Sequence, residues 1–65
     1  MKVRYDPEAD ALYLRLADTS VSESEEVRPG IIFDFDAEGR VVAIEILDTK
    51  AHLSAGVDLA HLSAA

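Results

Sequence analysis

The feature that most constrains this chain is the ten-residue stretch from Gly39 to Asp48. Its apolar part, Val41 to Leu47, is rich in β-branched residues and contains one charged residue, Glu45. A run of this composition, bounded by a glycine turn and an acidic residue, is typical of a β-strand. We therefore expect a central strand here, and the other segments must supply its neighbours in a sheet.

Three other segments alternate polar and apolar residues with the two-residue period of a half-buried strand. With the strand at 40–47, the segments 2–5, 11–17 and 31–36 predict a fold of class α+β, mainly β. We expect a four-stranded antiparallel meander, with one face covered by a short C-terminal helix or by a second subunit. The predicted core comprises Val3, Tyr5, Leu12, Leu14, Leu16, Ile31, Phe33, Phe35, Val42, Ile44 and Ile46.

The segment from Asp18 to Glu26 does not show this apolar alternation. It contains three serines and four carboxylates. A solvated connection or a short, twisted edge strand fits this composition, and charged side chains on such an edge resist pairing with other chains.

The register of the hairpin formed by the last two predicted strands is open to two interpretations. If its loop has four residues, Phe33 opposes Val42 and Glu45 points away from the core. If Gly39 instead forms a bulge, Phe33 opposes Ala43 and Glu45 shares the face of Phe33. A slip of one residue exchanges the two faces of a strand. The first register matches apolar residues better, and we take it as the prediction.

The periodicity changes after the last strand. Residues 49–54 predict a short helix, with Asp48 or Thr49 as N-cap and Gly56 as terminator. Helical turns can continue to residue 64. The sequence Ala-His-Leu-Ser-Ala occurs twice in this tail, nine residues apart. We interpret the duplication as incidental and the last residues as frayed.

The length of the chain points to self-association. Sixty-five residues predict one small domain, with the meander over 2–47 and the helical segment over 49–64. A core this small is marginal alone, and the absence of cysteine removes disulfides and thiolate metal sites. We therefore expect a homodimer or a higher homo-oligomer, with Tyr13, Val41 and Leu47 as candidate contact residues.

The charge balance narrows the class of partner. Six Lys and Arg residues stand against thirteen Asp and Glu residues, for a formal net charge of −7. Such a chain is a poor ligand for nucleic acid or an anionic membrane, and it attracts basic proteins.

No apolar run reaches 18 residues, and the N-terminal residues lack a signal-peptide core. We expect a cytoplasmic location.

Several acidic groups and both histidines are candidates for ligands or catalysts. Asp6, Glu8 and Asp10 lie within five residues, but the intervening proline favours a plain turn over a cation site. Asp34 and Asp36 share a strand face, and alternation predicts that both are solvated. His52 and His61 are expected on the helix surface. We therefore predict no catalytic, cofactor-binding or metal-binding residue.

Glu45 is the acidic residue in the least usual surroundings. A carboxylate within an apolar strand is costly to bury unless it is paired. The predicted register favours an exposed position. The alternative is an ion pair with Arg15 or Arg40 that fixes strand pairing or a subunit interface.

Three motifs carry a family resemblance. They are Tyr-Asp-Pro-Glu-Ala-Asp-Ala-Leu-Tyr at 5–13, Pro-Gly-Ile at 29–31, and Asp-Ala-Glu-Gly-Arg-Val-Val-Ala-Ile-Glu-Ile-Leu at 36–47. In order and spacing the chain resembles the domain-of-unknown-function 2283 family of short bacterial proteins. The resemblance implies a compact β-meander with a small C-terminal helix, and it implies no established activity. Some members are regarded as antitoxin-like partners of small toxins.

Two classes of function follow. The first is a non-enzymatic protein-interaction domain, in its specific form an antitoxin-like partner of a small basic toxin. The net charge and the absence of catalytic motifs favour it. The second is a small hydrolase or metal-dependent enzyme with an acidic site at an oligomer interface, around Asp34, Asp36 or Glu45.

Overall fold

The computed structural model describes residues 1–62, and within them five strands form one antiparallel sheet that is followed by two single-turn helices. The strands are β1 (Lys2–Asp6), β2 (Ala11–Arg15), β3 (Glu23–Arg28), β4 (Ile31–Phe35) and β5 (Val41–Ile46). The helices are α1 (Thr49–His52) and α2 (Leu59–Leu62), and α2 contacts β1. Neither helix is long enough to cross a membrane.

The order of the strands across the sheet is β1-β2-β5-β4-β3. The predicted central strand is confirmed, because β5 pairs with β2 on one side and β4 on the other. The predicted four-stranded meander is wrong in strand number and in order. After β2 the chain crosses to the far edge of the sheet, and two hairpins then return it until β5 closes against β2.

The additional strand, β3, lies in the segment expected to be a connection or an edge. It pairs with β4 alone, and each of its six residues is exposed. The residues of β3 show no apolar alternation. We therefore attribute its strand conformation to its pairing with the edge of β4 that is not occupied by β5. The edge alternative was therefore the correct one.

The predicted register of the β4–β5 hairpin is wrong by two residues. Phe33 opposes Ile44, not Val42. Asp36 donates its N–H to the carbonyl of Arg40 at 2.8 Å, and a bulge then shifts the pairing along the strands. Because the shift is an even number, the faces are preserved. Ile44 shares the face of Phe33, and Glu45 points to the other face, as predicted.

The core within the described residues is smaller than predicted. The buried side chains of the predicted core are Leu12, Val42 and Ile46, and Ala43 is buried on the other face, opposite Asp34. Six other predicted core side chains, on the face of Phe33, are only half-buried: Val3, Leu14, Ile31, Phe33, Phe35 and Ile44. Tyr5 is also half-buried, and Leu16, which follows the end of β2, is 43% exposed. One face of the sheet is therefore incompletely covered by this chain.

Helix α1 begins where it was predicted and ends earlier. Asp48 is its N-cap residue, in the left-handed conformation with φ of 48° and without a side-chain capping hydrogen bond. The helix ends at His52, because Leu53 is extended, so Gly56 does not terminate it. The prediction of a frayed end concerns residues 63–65, which lie outside the described part of the chain.

Candidate functional site

The most exposed structural element that carries charge is the edge strand β3. Glu23, Glu25 and Glu26 all lie on it, at the outer edge of the sheet. Glu26 also accepts the backbone N–H of Gly30 at 3.1 Å, which ties the strand to its turn. We call Glu23, Glu25 and Glu26 the acidic edge. The sequence signal that could have identified it is the density of carboxylates in a segment long enough to form a strand.

A carboxyl pair lies on the opposite face of the sheet from Phe33. Asp34 on β4 opposes Ala43, and Glu45 on β5 lies one position along the same face. Asp34 is 5% exposed and accepts a hydrogen bond from the Ser24 hydroxyl at 2.6 Å. The expectation that Asp34 is solvated is wrong. Its face was predicted correctly, but neighbouring side chains on that face cover it.

The pKa of Glu45 is raised for two reasons. Partial burial disfavours the charged carboxylate, and the Asp34 carboxyl beside it adds a hydrogen bond to the protonated form and charge repulsion. Glu45 therefore binds a proton more readily than an exposed glutamate would.

Tyr13 and Arg15 lie beside the carboxyl pair on β2. Tyr13 opposes Glu45 and Arg15 opposes Ala43. The Arg15 guanidinium donates to the Tyr13 hydroxyl at 3.2 Å and to the carbonyls of Ala17 and Thr19 at 3.1 and 2.8 Å. Arg15 thus holds the chain where it leaves β2. The observed pairing of β2 with β5 brings Arg15 to the face of Glu45, while its guanidinium is directed along its own strand.

The remaining predicted site residues are distributed around this face. Arg40 forms an exposed ion pair with Glu38 in the β4–β5 loop, at the end of β5 away from Glu45. Val41 is half-buried at the bulge, and Leu47, which follows β5, is 43% exposed. The roles of Tyr13, Val41 and Leu47 at an interface stay predictions, because a single chain does not test them.

Asp36 has a local structural role. Its Oδ1 accepts the N–H groups of Glu38 and Arg40, each at 2.9 Å. The hydrogen bond from Arg40 is the main cause that lowers the pKa of Asp36, and the one from Glu38 contributes. This arrangement is an Asx-turn that closes the β4–β5 loop. Asp36 therefore stabilises the β4–β5 loop, whereas Asp34 contacts Ser24 and Glu45 on the face of the sheet.

The turn between β1 and β2 also uses its acidic residues internally. Asp6 accepts the N–H groups of Glu8 and Ala9 at 3.0 and 3.4 Å. Asp10 accepts the Tyr5 hydroxyl at 2.7 Å and the Lys50 N–H at 3.1 Å. These two bonds, that of Tyr5 first, lower the pKa of Asp10, and the same contact raises the pKa of Tyr5. The turn motif therefore anchors α1.

The two histidines contact different parts of the chain. His52 Nδ1 lies 2.7 Å from the carbonyl oxygen of Leu47, and its ring packs on Gly30. His61 pairs with Asp58. Over residues 1–62, no three side chains of His, Asp and Glu converge in a way that could hold a metal ion.

The depressions on this face are open to solvent. One lies over Lys2, Arg4, Tyr13 and Arg15, and another over Arg4, Tyr13, Glu45 and Leu47. Open surfaces of this kind suit contact with a macromolecule, since small-molecule sites bury most of their ligand in a cleft. The two edge strands also differ in charge. β1 carries Lys2, Arg4 and Asp6, whereas β3 carries three glutamates and Arg28.

This arrangement defines a small α+β protein built on one open, five-stranded antiparallel sheet. The sequence profile of a family described as "Protein of unknown function (DUF2283)" matches residues 2–50. The chain belongs to this family, in agreement with the motifs of its two turns and its central strand. Comparison with curated proteins and with solved structures gives no match.

Proposed function

We propose that the protein is a non-catalytic interaction module whose acidic edge binds a basic protein partner. The observation that carries the proposal is the exposure of β3. Like β1, it is an edge strand that pairs with the chain on one side only, but unlike β1 all of its residues are exposed. An unpaired strand edge is a template for addition of a strand from another protein.

The charge of the edge selects the partner. Carboxylates along a strand disfavour its pairing with a copy of itself, because like charges would lie opposite each other. A basic strand has no such penalty and gains from attraction over a longer range. The net charge of −7 acts in the same direction. The partner is therefore expected to be a basic protein that supplies an extended segment.

The specific form of this proposal is an antitoxin-like protein that covers a small basic toxin in the cytoplasm. The family resemblance suggests this form, and the acidic edge supports it. The carboxyl pair of Asp34 and Glu45 does not enter the proposal. It lies on an open face, and its contacts with Ser24 and the sheet give it a structural role.

The test uses a tagged full-length chain to capture proteins from a lysate of the native host, followed by mass spectrometry. The variant is Glu23→Gln with Glu25→Gln. The matched control is Glu8→Gln with Asp18→Asn, which removes the same number of charges from exposed positions outside β3. Circular dichroism verifies that both variants fold.

We expect the wild type and the control to retain the same basic protein, and the β3 variant to lose most of it. Binding of the purified partner should weaken at least about tenfold with the β3 variant and should fall with salt, as expected of a charge-steered contact. Equal retention by all three chains would overturn the proposal. Recovery of no basic protein beyond a tag-only control would also overturn it.

A further inference from the structure

We propose that the half-buried apolar face of the sheet is covered by the same face of a second copy, which gives a two-fold symmetric homodimer. We call this surface the apolar face. It comprises Val3, Leu14, Leu16, Phe33, Phe35 and Ile44. It borders the acidic edge, because Glu23 opposes Phe35 and Glu25 opposes Phe33. The inference does not rest on the function proposed above.

The apolar face is continuous across four strands. Val3 opposes Leu14, Leu14 opposes Ile44, and Ile44 opposes Phe33. These four side chains therefore form one row from β1 to β4. Phe35 extends the surface beyond the row, with its ring centroid 6.3 Å from that of Phe33.

Exposure changes along the strands. In the neighbouring row, close to the turn that anchors α1, Leu12 is 4% exposed and Ile46 is 8% exposed. One row further from the helices, Leu14 and Ile44 are only half-buried. The chain covers the row of Leu12 and Ile46 with its own C-terminal segment. It leaves Leu14 and Ile44 half-buried, although Val42, further along β5, is buried.

The solvent-accessible surface area of the chain is larger than expected for a folded monomer of its mass. The chain exposes 4639 Å². A folded monomer of 7.1 kDa is expected to expose about 4,100 Å². The excess, roughly 500 Å², is of the same order as the roughly 800 Å² that each partner buries in a standard interface. Burying the apolar face against another sheet would remove much of this excess.

A second copy is the occupant that fits this face. The row from Val3 to Phe33 carries no charge to match a polar or basic partner, whereas two such rows can interdigitate as in a β-sandwich, about 10 Å apart. The small core is stabilised if this face is covered whenever the chain is folded. A second copy of the chain can do so without requiring a different protein to be present.

This contact differs from the set predicted from the sequence. Tyr13 belongs to the opposite face, beside Glu45. The alternation of β2 places Leu14 and Tyr13 on opposite sides, so a dimer through the apolar face leaves Tyr13 accessible. The homodimer is retained as a proposal, with its contact moved to the face of Phe33.

The test is the mass of the full chain in solution, measured by light scattering across a dilution series. The wild type should have about twice the chain mass of 7.1 kDa. Phe33→Lys introduces a charge into the apolar face, opposite Glu25, and should reduce the mass to that of one chain. Ile32→Lys is the matched control on the other face of the same strand, opposite Glu45, and should remain dimeric.

A second measurement uses the wild type alone, so it does not require that a variant folds. In methyl NMR spectra of the wild type, dilution should shift the resonances of Val3, Leu14 and Ile44. The resonances of Ile32, which lies on the other face of β4 opposite Glu45, should stay constant. The inference is overturned if the wild type is a monomer throughout the series, if folded Phe33→Lys remains dimeric, or if dilution shifts the two sets of methyl groups equally.

Discussion

Thr49 donates two hydrogen bonds to the carbonyl oxygen of Asp10, one from its backbone N–H at 2.9 Å and one from its hydroxyl at 2.8 Å. The two residues are 39 positions apart in the sequence. Thr49 is completely buried, and its hydroxyl also lies 3.2 Å from the carbonyl oxygen of Ile46. This contact fixes the start of α1 against the β1–β2 turn.

We expect Thr49→Val to destabilise the fold. The substitution keeps the shape of the side chain and removes the donor, so the loss is that of a buried hydrogen bond, about 1 kcal/mol. In a domain of this size that corresponds to a decrease in Tm of roughly 4–8 °C. Thermal unfolding followed by circular dichroism measures it. Thr49→Ser keeps the hydroxyl and should lose less, and equal losses would show that the buried methyl group contributes as much to stability as the hydroxyl does.

We expect Gly30→Ala to lower the free energy of unfolding, because alanine disfavours the backbone conformation of Gly30 and its Cβ would collide with His52. Gly30 has a φ of +85°, and a Cβ there would lie 2.7 Å from Cε1 of His52. The loss should exceed about 1 kcal/mol in urea unfolding. Gly39→Ala is the matched control, since Gly39 has a φ of +80° and a Cβ there would meet no atom within 4 Å beyond its chain neighbours.

The difference between these two glycine variants reports the contact with His52. When His52 is already replaced by alanine, the additional cost of Gly30→Ala should fall to that of Gly39→Ala, because the ring that obstructs the Cβ is then absent. Equal costs for Gly30→Ala and Gly39→Ala would show that the histidine ring yields without loss of stability.

We expect Glu45→Gln to stabilise the protein at neutral pH. The pKa of Glu45 is raised in the folded state by burial and by Asp34, so the ionised carboxylate opposes folding at neutral pH. Acidification relieves this effect as the pH falls through the raised pKa. The advantage of the variant should therefore be largest near pH 7 and absent below the ordinary Glu pKa of about 4.3.

Urea unfolding at several pH values measures this dependence. Glu8→Gln removes the same charge from the exposed β1–β2 turn and should change stability by less than about 0.5 kcal/mol. A Glu45→Gln variant that is less stable than the wild type at neutral pH would contradict the prediction. It would show that the carboxylate of Glu45 has a favourable partner.

The elements with a clear apolar period could be predicted from the sequence. The alternation of Leu12 and Leu14, and the β-branched run that contains Val42 and Ile44, indicated the strands and their apolar side. The sequence also predicted that Glu45 points away from Phe33. Each of these properties depends on residues one or two positions apart, so local periodicity is sufficient to determine it.

Strand β3 and the surroundings of Asp34 could not be predicted in this way. Residues 23–28 have no apolar period, and they become a strand because β4 offers an unpaired edge. Asp34 was placed on the correct face, but its burial comes from Ser24 on β3 and from its position near Glu45. Both neighbours are distant in the sequence.

The sequence by itself determined which residues share a face of the sheet, that the apolar run at 41–46 forms a strand, and that the chain carries a net negative charge. Only the tertiary structure decided the strand order, the position of the acidic edge and the pairing of Asp34 with Glu45. The physical reason is that periodicity constrains a side chain relative to its own strand. Strand order and burial depend on which separate segments pair, and those pairings form between residues far apart in the chain.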